Sequence, residues 1–493
     1  MLIVVALVLL ATLLYFNVRK PEGFPPGPPR YPFIGYPFLE KHLVHKHMWR
    51  LSDTYGPVVG IYFGPQRTVI VNGWEAVKEA LANEDLNGRP DNVFIRYRDG
   101  GEVKGVMFTE GELWKEQRRF SLHNFRNLGF GKRSHEAVIH EEVEELIKEI
   151  EGTDKGVSLQ VKLGVSATNI LWALMGGVRF QRNDPRLIDL VESLNKSFRA
   201  GEVAGSIVDI IPAIRHILPK DANYSVVMEG MNKATAFIAE SVEEHKATLD
   251  TSSPRDFIDM FLTEMQRQKG DKETTFNEKQ LVALCSDIFS AGSETGSSSV
   301  SFAILFCALH PDVMNRIHEE LDSVVGRDRL PSLDDRPQLV YTEAVLTEML
   351  RLRGAAPLTV PHCTMRDTKL QGYNIPARTM VMVNLYSIQM DRQYWGDPEN
   401  FRPERFLNPD GTLRKDERMI PFGKGEEGVL EEKGRRVCLG ESLARMSLFL
   451  LFTGLMQKFF FTIDPSVHFP DTEGKGGFTL GPPDFKVFAK SRF

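Results

Sequence analysis

A long apolar segment, Asn277 to Leu309, constrains the fold more than any other part of the sequence. Its helical periodicity and apolar composition are typical of a helix buried inside a protein. Its middle, however, reads Ala291-Gly292-Ser293-Glu294-Thr295-Gly296, and a glycine costs a helix interior roughly 1 kcal/mol relative to alanine. A threonine there can donate to the carbonyl four residues earlier, at Ala291, and bend the helix. These small residues indicate either close packing of a second helix or a path for a molecule that lies against the backbone.

Cys438 is a solitary thiol in the run Arg435-Arg436-Val437-Cys438-Leu439-Gly440-Glu441, and a helix-like apolar stretch from Ser442 to Phe460 follows it. Flanking cations and a helix N-terminus both favour the thiolate, and we expect them to lower its pKa from about 8.5. A thiolate with no second cysteine nearby is a poor zinc site and a poor disulfide partner. It is suited to be the single axial ligand of a haem iron, and the alternative is a buried structural cysteine.

Composition narrows the class of protein. The 493 residues are 42% hydrophobic, which is enough for a large core, and no long Ser/Gly linker divides them. The net charge of −6 gives no global basic field, so we expect no nucleic-acid partner. The four cysteines are scattered without a C-x-x-C pair, which is typical of a reducing compartment.

Residues 1–18 are uncharged and mostly apolar. As a helix they would reach about 27 Å, which is marginally enough for a hydrocarbon core of about 30 Å. Arg19 and Lys20 follow, and no clear cleavage site is present, so we expect an uncleaved membrane anchor rather than a signal peptide. The basic, proline-rich stretch 19–30 predicts a stiff hinge, and positive charge after the span predicts a cytosolic globule, residues 31–493.

Helical periodicity dominates that globule. It predicts six helices besides the one after Cys438: Glu136–Ile150, Leu187–Phe198, Ala234–Leu249, Asn277–Leu309, Asp312–Val325 and Thr342–Leu352. Strand patterns at Val58–Phe63 and Arg67–Asn72 predict a hairpin, and another strand is expected at Thr379–Asn384 after a turn-like stretch, Gly372–Ala377. The prediction is therefore a mainly α fold with a minor sheet, whose distant strands would tie the globule into one domain.

Two further patterns have charged and aromatic residues at helical spacing. Glu348 and Arg351 can pair on one helix face, and Arg405 in Pro403-Glu404-Arg405-Phe406 offers a second guanidinium for a buried network. The alternative for the first pair is an ordinary solvated face. Trp114 and Arg118 lie one turn apart, and arginine suits a buried carboxylate such as a haem propionate. Residues 115–133 hold six basic residues and one acid, which indicates either a docking face for an acidic partner or a solvated basic face.

Together these runs resemble the cytochrome P-450 monooxygenases over essentially the whole chain. The motifs W-x-x-x-R, A-G-x-E-T, E-x-x-R, P-E-R-F and R-x-C-x-G occur in the family's order, after an apolar N-terminus and a Pro-Pro-Gly-Pro hinge. The style of the motifs is similar to that of the animal microsomal clan, which oxidises drugs, fatty acids and steroids. The resemblance implies a helix-rich P-450 fold with a small mixed or antiparallel β region.

The resemblance also implies roles for residues. Cys438 would be the thiolate ligand of haem b, and Thr295 with Glu294 would be the pair that activates O2 and relays protons. Contacts to haem would come from Trp114, Arg118, His362, Arg436, Phe422 and Gly292, and Glu348, Arg351 and Arg405 would form a structural triad.

The resemblance implies a set of partners as well. Electrons would come from NADPH through a separate reductase at the endoplasmic reticulum membrane, with cytochrome b5 as an optional second partner. The run Gly423-Lys424-Gly425-Glu426-Glu427-Gly428 matches G-x-G-x-x-G but follows no clear strand, so it does not indicate a dinucleotide site in this chain.

The chain departs from the family pattern just before its cysteine. The pattern P-F-G-x-G-x-R-x-C-x-G is interrupted by nine extra residues, Glu426 to Gly434, which hold four glutamates and one lysine and put Phe422 sixteen residues from Cys438. Three alternatives are open: the insertion bulges outward, it spoils haem binding, or it is an artefact of the gene model. Since both flanks are intact, we expect a bulge or an artefact. A smaller departure is Gly296, where the clan usually has a second threonine.

By resemblance, five segments would face a substrate: Asn92–Phe108, Ala204–Leu218, the central helix before Gly292, Ala355–Val360 and Phe478-Thr479. They are rich in apolar side chains, so we expect a lipophilic ligand such as a xenobiotic, fatty acid, steroid or terpenoid. Ordinary core packing is the alternative for these segments. The competing class for the whole chain is an inert haem-binding or lipid-binding homologue, disabled by the insertion.

Overall fold

The computed structural model describes residues 18–424 and 436–493, apart from 37–39, 41–42, 92, 130–134, 152, 154, 204–205, 465 and 467–470. The predicted anchor lies almost entirely outside the described residues, and so does the insertion. Within the described part of the chain no single helix is long and apolar enough to cross a membrane. Two consecutive helices, Glu278–Leu309 and Pro311–Val324, are together long and apolar enough, but the chain bends sharply between them.

Helices form most of the described chain. In the first half these are α1 (Val44–Tyr55), α2 (Trp74–Ala82), α3 (Val93–Arg98), α4 (Gly111–Asn127), α5 (Glu136–Glu151), α6 (Leu159–Met175), α7 (Pro185–Ala200), α8 (Ile207–Ile210), α9 (Ile214–Ile217) and α10 (Tyr224–Thr248). The second half adds α11 (Phe257–Arg267), α12 (Glu278–Leu309), α13 (Pro311–Val324), α14 (Val340–Arg353), α15 (Leu385–Gln389), α16 (Arg392–Trp395) and α17 (Glu441–Lys458).

The sheets are small and join distant parts of the chain. Strands β1 (Val58–Phe63) and β2 (Gln66–Val71) form the predicted hairpin, with Val58 opposite Val71. β2 then pairs in parallel with β6 (Met380–Val383), which pairs with the short strand β3 (His362–Cys363). Two further hairpins are β4 (Thr368–Leu370) with β5 (Tyr373–Ile375), and β7 (Phe459–Ile463) with β8 (Val487–Ser491).

α12 runs through the largest hydrophobic cluster of the molecule. Its flank of small residues packs against α6, where the side chain of Leu171 lies 2.8 Å from the point that a β-carbon on Gly292 would occupy. An alanine at that position would therefore collide with Leu171. Trp172 of α6 is fully buried and meets Phe289 of α12 edge to face, with ring centroids 5.7 Å apart. Contact with Leu171 thus disfavours a side chain at position 292, although Gly292 itself remains exposed.

The mainly helical class and the minor sheet are confirmed, and the bounds of five of the six predicted helices agree within two residues. The sixth, α10, begins at Tyr224, ten residues before the predicted start. The sequence patterns do not predict α6, which is buried nearly all round and therefore shows no polar face to mark its period. They also predict a turn-like stretch at Gly372–Ala377, whereas Tyr373–Ile375 is strand β5.

Candidate active site

The loop before α17 presents the thiol of Cys438. Its backbone N–H donates to the carbonyl of Phe422 at 2.9 Å, so the two flanks of the insertion meet directly. A β-carbon on Gly423 would lie 3.6 Å from the Cα of Val437, which shows that the two segments of the chain lie close together. Of the four cysteines, Cys438 is the exposed one, and the other three are buried. The insertion leaves the cysteine loop closed and the thiol accessible.

Two guanidinium groups lie against the indole of Trp114 in α4. The centre of the Arg436 group is 4.0 Å from the ring centroid and that of Arg118 is 5.8 Å away. Arg118 also donates to the carbonyl of Val437 at 2.7 Å, which fixes the cysteine loop to α4. Arg436 donates to the carbonyls of Asn87 and Thr109. The structure thus brings Arg436 to Trp114 and Arg118, which lie more than 300 positions earlier in the sequence.

Arg89 joins this group, although the sequence analysis missed it. It is buried and donates to the carbonyls of Met107, Val360 and Pro361. Burial, with repulsion from the other arginines, lowers the pKa of Arg89 to about 9 and that of Arg436 to about 8. Such depressed values mean that the cluster lacks enough negative charge nearby. Arg89 lies in no motif, so nothing in the sequence marks it.

This cluster fits the carboxylates of a haem. Nη1 of Arg436 is buried and has no hydrogen-bond partner among the described residues, and an unpaired buried donor is costly. His362 donates from Nδ1 to the carbonyl of Leu86 at 2.9 Å, and burial, with nearby arginines, lowers its pKa to about 3. A bound carboxylate would raise that pKa again and would satisfy the free donor of Arg436.

The expected cause of thiolate formation at Cys438 is wrong. The pKa of the thiol is raised: although Cys438 reaches the surface, the protein packed around it withdraws it from water, and this desolvation with the charge of Glu441 outweighs the opposing N–H of Gly440 and the charge of Arg118. Arg436, which was expected to lower this pKa, points away towards Trp114. Metal coordination would itself deprotonate the thiol, so the raised value does not oppose a role as a ligand.

Thr295 lies on an accessible stripe of an otherwise buried helix. Ile288, Gly292, Thr295 and Ser299 all keep accessible surface and recur at helical spacing along α12. The hydroxyl of Thr295 donates to the carbonyl of Ala291 at 2.7 Å, the back-bond that the sequence predicts. An oxygen atom on this stripe can accept or pass a proton at the surface that a bound molecule would touch.

Glu294 does not join Thr295. Its carboxylate is buried in an ion pair with Arg199 of α7, and it accepts from Thr479 at 2.6 Å and from Ser298 at 2.8 Å. Neighbouring residues of a helix point in directions about 100° apart, so the two side chains reach different surroundings. The expected relay pair is therefore not assembled in this structure, and Arg199 is a partner that sequence reasoning missed.

The carboxylate of Glu348 lies between two arginines. Both oxygens accept from Arg351, at 2.6 and 2.8 Å, and Arg405 donates to one of them at 3.2 Å. The remaining guanidinium donors reach the carbonyls of Gln389, Pro398 and Trp395. The structure therefore brings the expected triad together as a buried network, in which Arg405 also pairs with Asp397 at 2.7 Å.

Several segments expected to face a substrate converge. Phe478 donates its backbone N–H to the carbonyl of Phe198, and Leu480 donates to that of Ala355. Phe478 also packs against a cluster of apolar side chains from α3, α8, α9 and α10, which includes Phe94 and Val208. Residues 204–205 and 92 of the expected segments lie outside the described part. The described parts form a connected apolar region.

A family model described as Cytochrome P450 matches residues 25–489. The chain belongs to the cytochrome P450 family. A farnesoate epoxidase from Bombyx mori is 34% identical over 99% of this chain and 98% of its own length. Cytochrome P450 2G1 from Oryctolagus cuniculus is 36% identical over 97% of this chain and 96% of its own, and 2C44 from Mus musculus is 36% identical over 93% and 91%.

Membership makes this P450 a haem-dependent oxidoreductase of the monooxygenase class. It confirms the resemblance that the motifs indicate. In this P450 the nine extra residues stand between two flanks that lie in contact, because the carbonyl of Phe422 accepts a hydrogen bond from the backbone N–H of Cys438.

Proposed function

We propose that this P450 inserts one atom of O2 into a lipophilic small molecule, by hydroxylation or epoxidation. Electrons come from NADPH through a separate flavoprotein reductase, with cytochrome b5 as an optional second donor, at the cytosolic face of the endoplasmic reticulum membrane. The observation that carries the proposal is the accessible thiol of Cys438, in a loop that remains closed across the insertion.

Haem, when bound, supplies the iron at which O2 is activated. Cys438 would hold the iron, and the cluster of Trp114, Arg89, Arg118, His362 and Arg436 would hold the carboxylates of the ring. The buried positive charge of this cluster supports that role. Thr295 passes a proton at the accessible stripe of α12, because its hydroxyl both donates to Ala291 and can accept from solvent.

The substrate is apolar because the region around Phe478, Phe94 and Val208 offers a cluster of apolar side chains. The relative named a farnesoate epoxidase supports a terpenoid acid or ester as one member of this class. The other relatives are equally similar and bear names that specify no substrate. The proposed substrate class is therefore lipophilic small molecules in general, whatever polar group they carry.

The competing proposal, an inert homologue, depends on the insertion disturbing the ligand loop. The hydrogen bond between Cys438 and Phe422, and that from Arg118 to Val437, count against such a disturbance. Neither bond would persist if the extra residues displaced the loop from α4. An active enzyme is therefore the better-supported function.

The decisive experiment compares two cysteine variants of the full chain. Cys438→Ala should abolish the thiolate–carbonyl Soret band of the reduced protein and all reductase-dependent product formation. Cys307→Ala, which removes a buried thiol from α12, should retain both. Product formation should also require NADPH, O2 and the reductase together. A normal Soret band in Cys438→Ala would refute the assigned ligand, and a normal band without oxygen uptake in the unaltered chain would favour the inert homologue.

A further inference from the structure

A basic cavity lies between the hinge and the turn of the β1–β2 hairpin. Its volume is about 600 Å³, and residues from three distant parts of the chain line it. Five of these are cations: Arg19, Lys20, Arg30, Arg67 and Arg378. The lining includes one carboxylate, the exposed Glu22. The cavity thus gathers an excess of positive charge in a protein whose net charge is −6.

The cations of this cavity are poorly neutralised. Only Arg378 makes an ion pair with another described residue, to Glu110 at 2.8 Å. Arg67 donates to the carbonyl of Ala377, which offers no full charge. Like charges gathered without counterions repel one another, and a bound anion would relieve that repulsion.

Two of the cations are held in place by the protein. Nζ of Lys20 donates to the carbonyls of Gly27 and Gly60, both at 3.1 Å, and burial lowers its pKa. The guanidinium of Arg30 lies 3.9 Å above the ring of Tyr62. Nε of Arg30 is buried without a hydrogen-bond partner among the described residues. Lys20 and Arg30 are therefore positioned in advance, and the described part of the protein leaves their positive charges without a counterion.

The place of the cavity in the chain indicates the source of the anion. Arg19 and Lys20 directly follow the uncharged apolar residues 1–18. Near the hairpin turn, Ile210 lies 3.1 Å from the point that a β-carbon on Gly64 would occupy, and the adjoining segment exposes Ile211 by 45% and Ile217 by 72%. An apolar rim beside a basic cavity matches a lipid, whose phosphate and acyl chains lie next to each other.

We propose that this cavity binds the phosphate of an anionic membrane lipid. Arginine forks suit phosphate oxygens, so Arg30 and Arg67 would bind the head group while the acyl chains remain in the bilayer. The inference rests on the proposed membrane association of the chain but not on its haem chemistry. Its effect would be to fix the tilt of the globule on an anionic bilayer.

Native mass spectrometry of the full chain in a neutral detergent tests the proposal. Phosphatidylserine and phosphatidylcholine are offered at equal concentrations, and the ratio of retained lipids is measured. The unaltered chain should retain phosphatidylserine in preference. Arg30→Gln and Arg67→Gln should each reduce that preference about fivefold, which corresponds to about 1 kcal/mol for each cation near an anionic lipid surface.

Two further variants separate lipid binding from effects on folding and on total charge. Arg19→Gln removes a cation whose side chain makes no hydrogen bond or ion pair with any described residue, so it should reduce the preference without affecting folding. Arg186→Gln removes a charge whose side chain is 82% exposed elsewhere, in α7, and should leave the preference unchanged. The reduced carbon-monoxide spectrum of every variant should remain normal, which separates this site from the haem chemistry.

Three results would overturn the proposal. Equal retention of the two lipids would show that the cavity does not select charge. A loss in Arg186→Gln equal to that in Arg30→Gln would show that only total charge matters. Displacement of phosphatidylserine by inorganic phosphate at equal concentration would show a site for small soluble anions rather than for a lipid.

Discussion

Removing residues 426–434 tests whether the cysteine loop depends on the insertion. Phe422 and Cys438 are joined by a hydrogen bond of 2.9 Å, and the deletion would reduce the residues between them from 15 to six. The cost of closing a loop grows as about 3/2 RT ln n, so the shorter loop favours the folded state by about 0.8 kcal/mol. For a chain of this length, that amount shifts Tm by about 1 °C. We therefore expect nearly unchanged stability.

The assay is the reduced carbon-monoxide difference spectrum of the full and shortened chains, each normalised to bound haem. Both should show the same thiolate–carbonyl band, since Arg118 holds the loop at Val437 in a contact that the deletion does not touch. The reasoning is refuted if the full chain emerges without haem while the shortened chain binds it. That result would make the insertion an inhibitor of haem binding.

The deletion also removes four glutamates and one lysine from the sequence shortly before Cys438, and residues 115–133, which begin within α4, hold six basic residues. If α4 docks an acidic reductase, the shortened chain should show a lower KM for the reductase, and the difference should fade at high salt. A full-length variant with the four glutamates changed to glutamine separates charge from length. It should reproduce the lower KM, and a KM equal to that of the unaltered chain would exclude the electrostatic effect.

The remaining predictions concern single side chains. Glu348→Gln leaves the buried guanidinium of Arg351 without its carboxylate, although Arg405 keeps its ion pair with Asp397, so the free energy of unfolding in urea should fall by about 3 kcal/mol, and a loss below about 1 kcal/mol would contradict a buried network. Thr295→Ala should keep haem but divert reducing equivalents to hydrogen peroxide, whereas Ser299→Ala, one turn away on the same stripe, should keep normal coupling; unchanged coupling in the first variant would refute its role. Burial opposes the charged form of His245, but its bonds to Asp256 and to a backbone carbonyl raise the pKa. The advantage in unfolding free energy over His245→Gln should be full below about pH 6.5 and be lost as the pH rises through the raised pKa, and a pH-independent difference would contradict the ion pair.

The parts of the fold that the sequence predicts are those with a strong local signal. α12, α13 and α14 have one buried face or a long apolar run, so periodicity marks them. The pairing of β2 with β6 joins residues more than 300 positions apart, and only the strand patterns, not the partners, can be read locally. α6 shows the limit, because burial on every side removes the contrast on which periodicity depends.

The candidate site likewise contains some contacts that the sequence predicts and others that it does not. Glu348 and Arg351 meet because they lie one helical turn apart, a distance that sequence spacing encodes. Arg89 reaches the arginine cluster through carbonyls of residues 107, 360 and 361, and no spacing encodes that approach. Likewise, sixteen positions separate Phe422 from Cys438, yet the two share a hydrogen bond. Contacts between residues that only the fold brings together cannot be predicted from local sequence patterns.

Glu294 shows why adjacency in sequence is weak grounds for a shared role. On a helix, a residue and its successor face different surroundings, and here Glu294 turns to Arg199 and Thr479 while Thr295 remains on the accessible stripe. A proton route that begins at Glu294 would first have to break a buried ion pair, which is costly when one partner is left uncompensated. Thr295 needs no such release, because its hydroxyl is already accessible. We therefore propose that the threonine passes the proton, whereas the glutamate ties α12 to α7 and to the chain near Thr479.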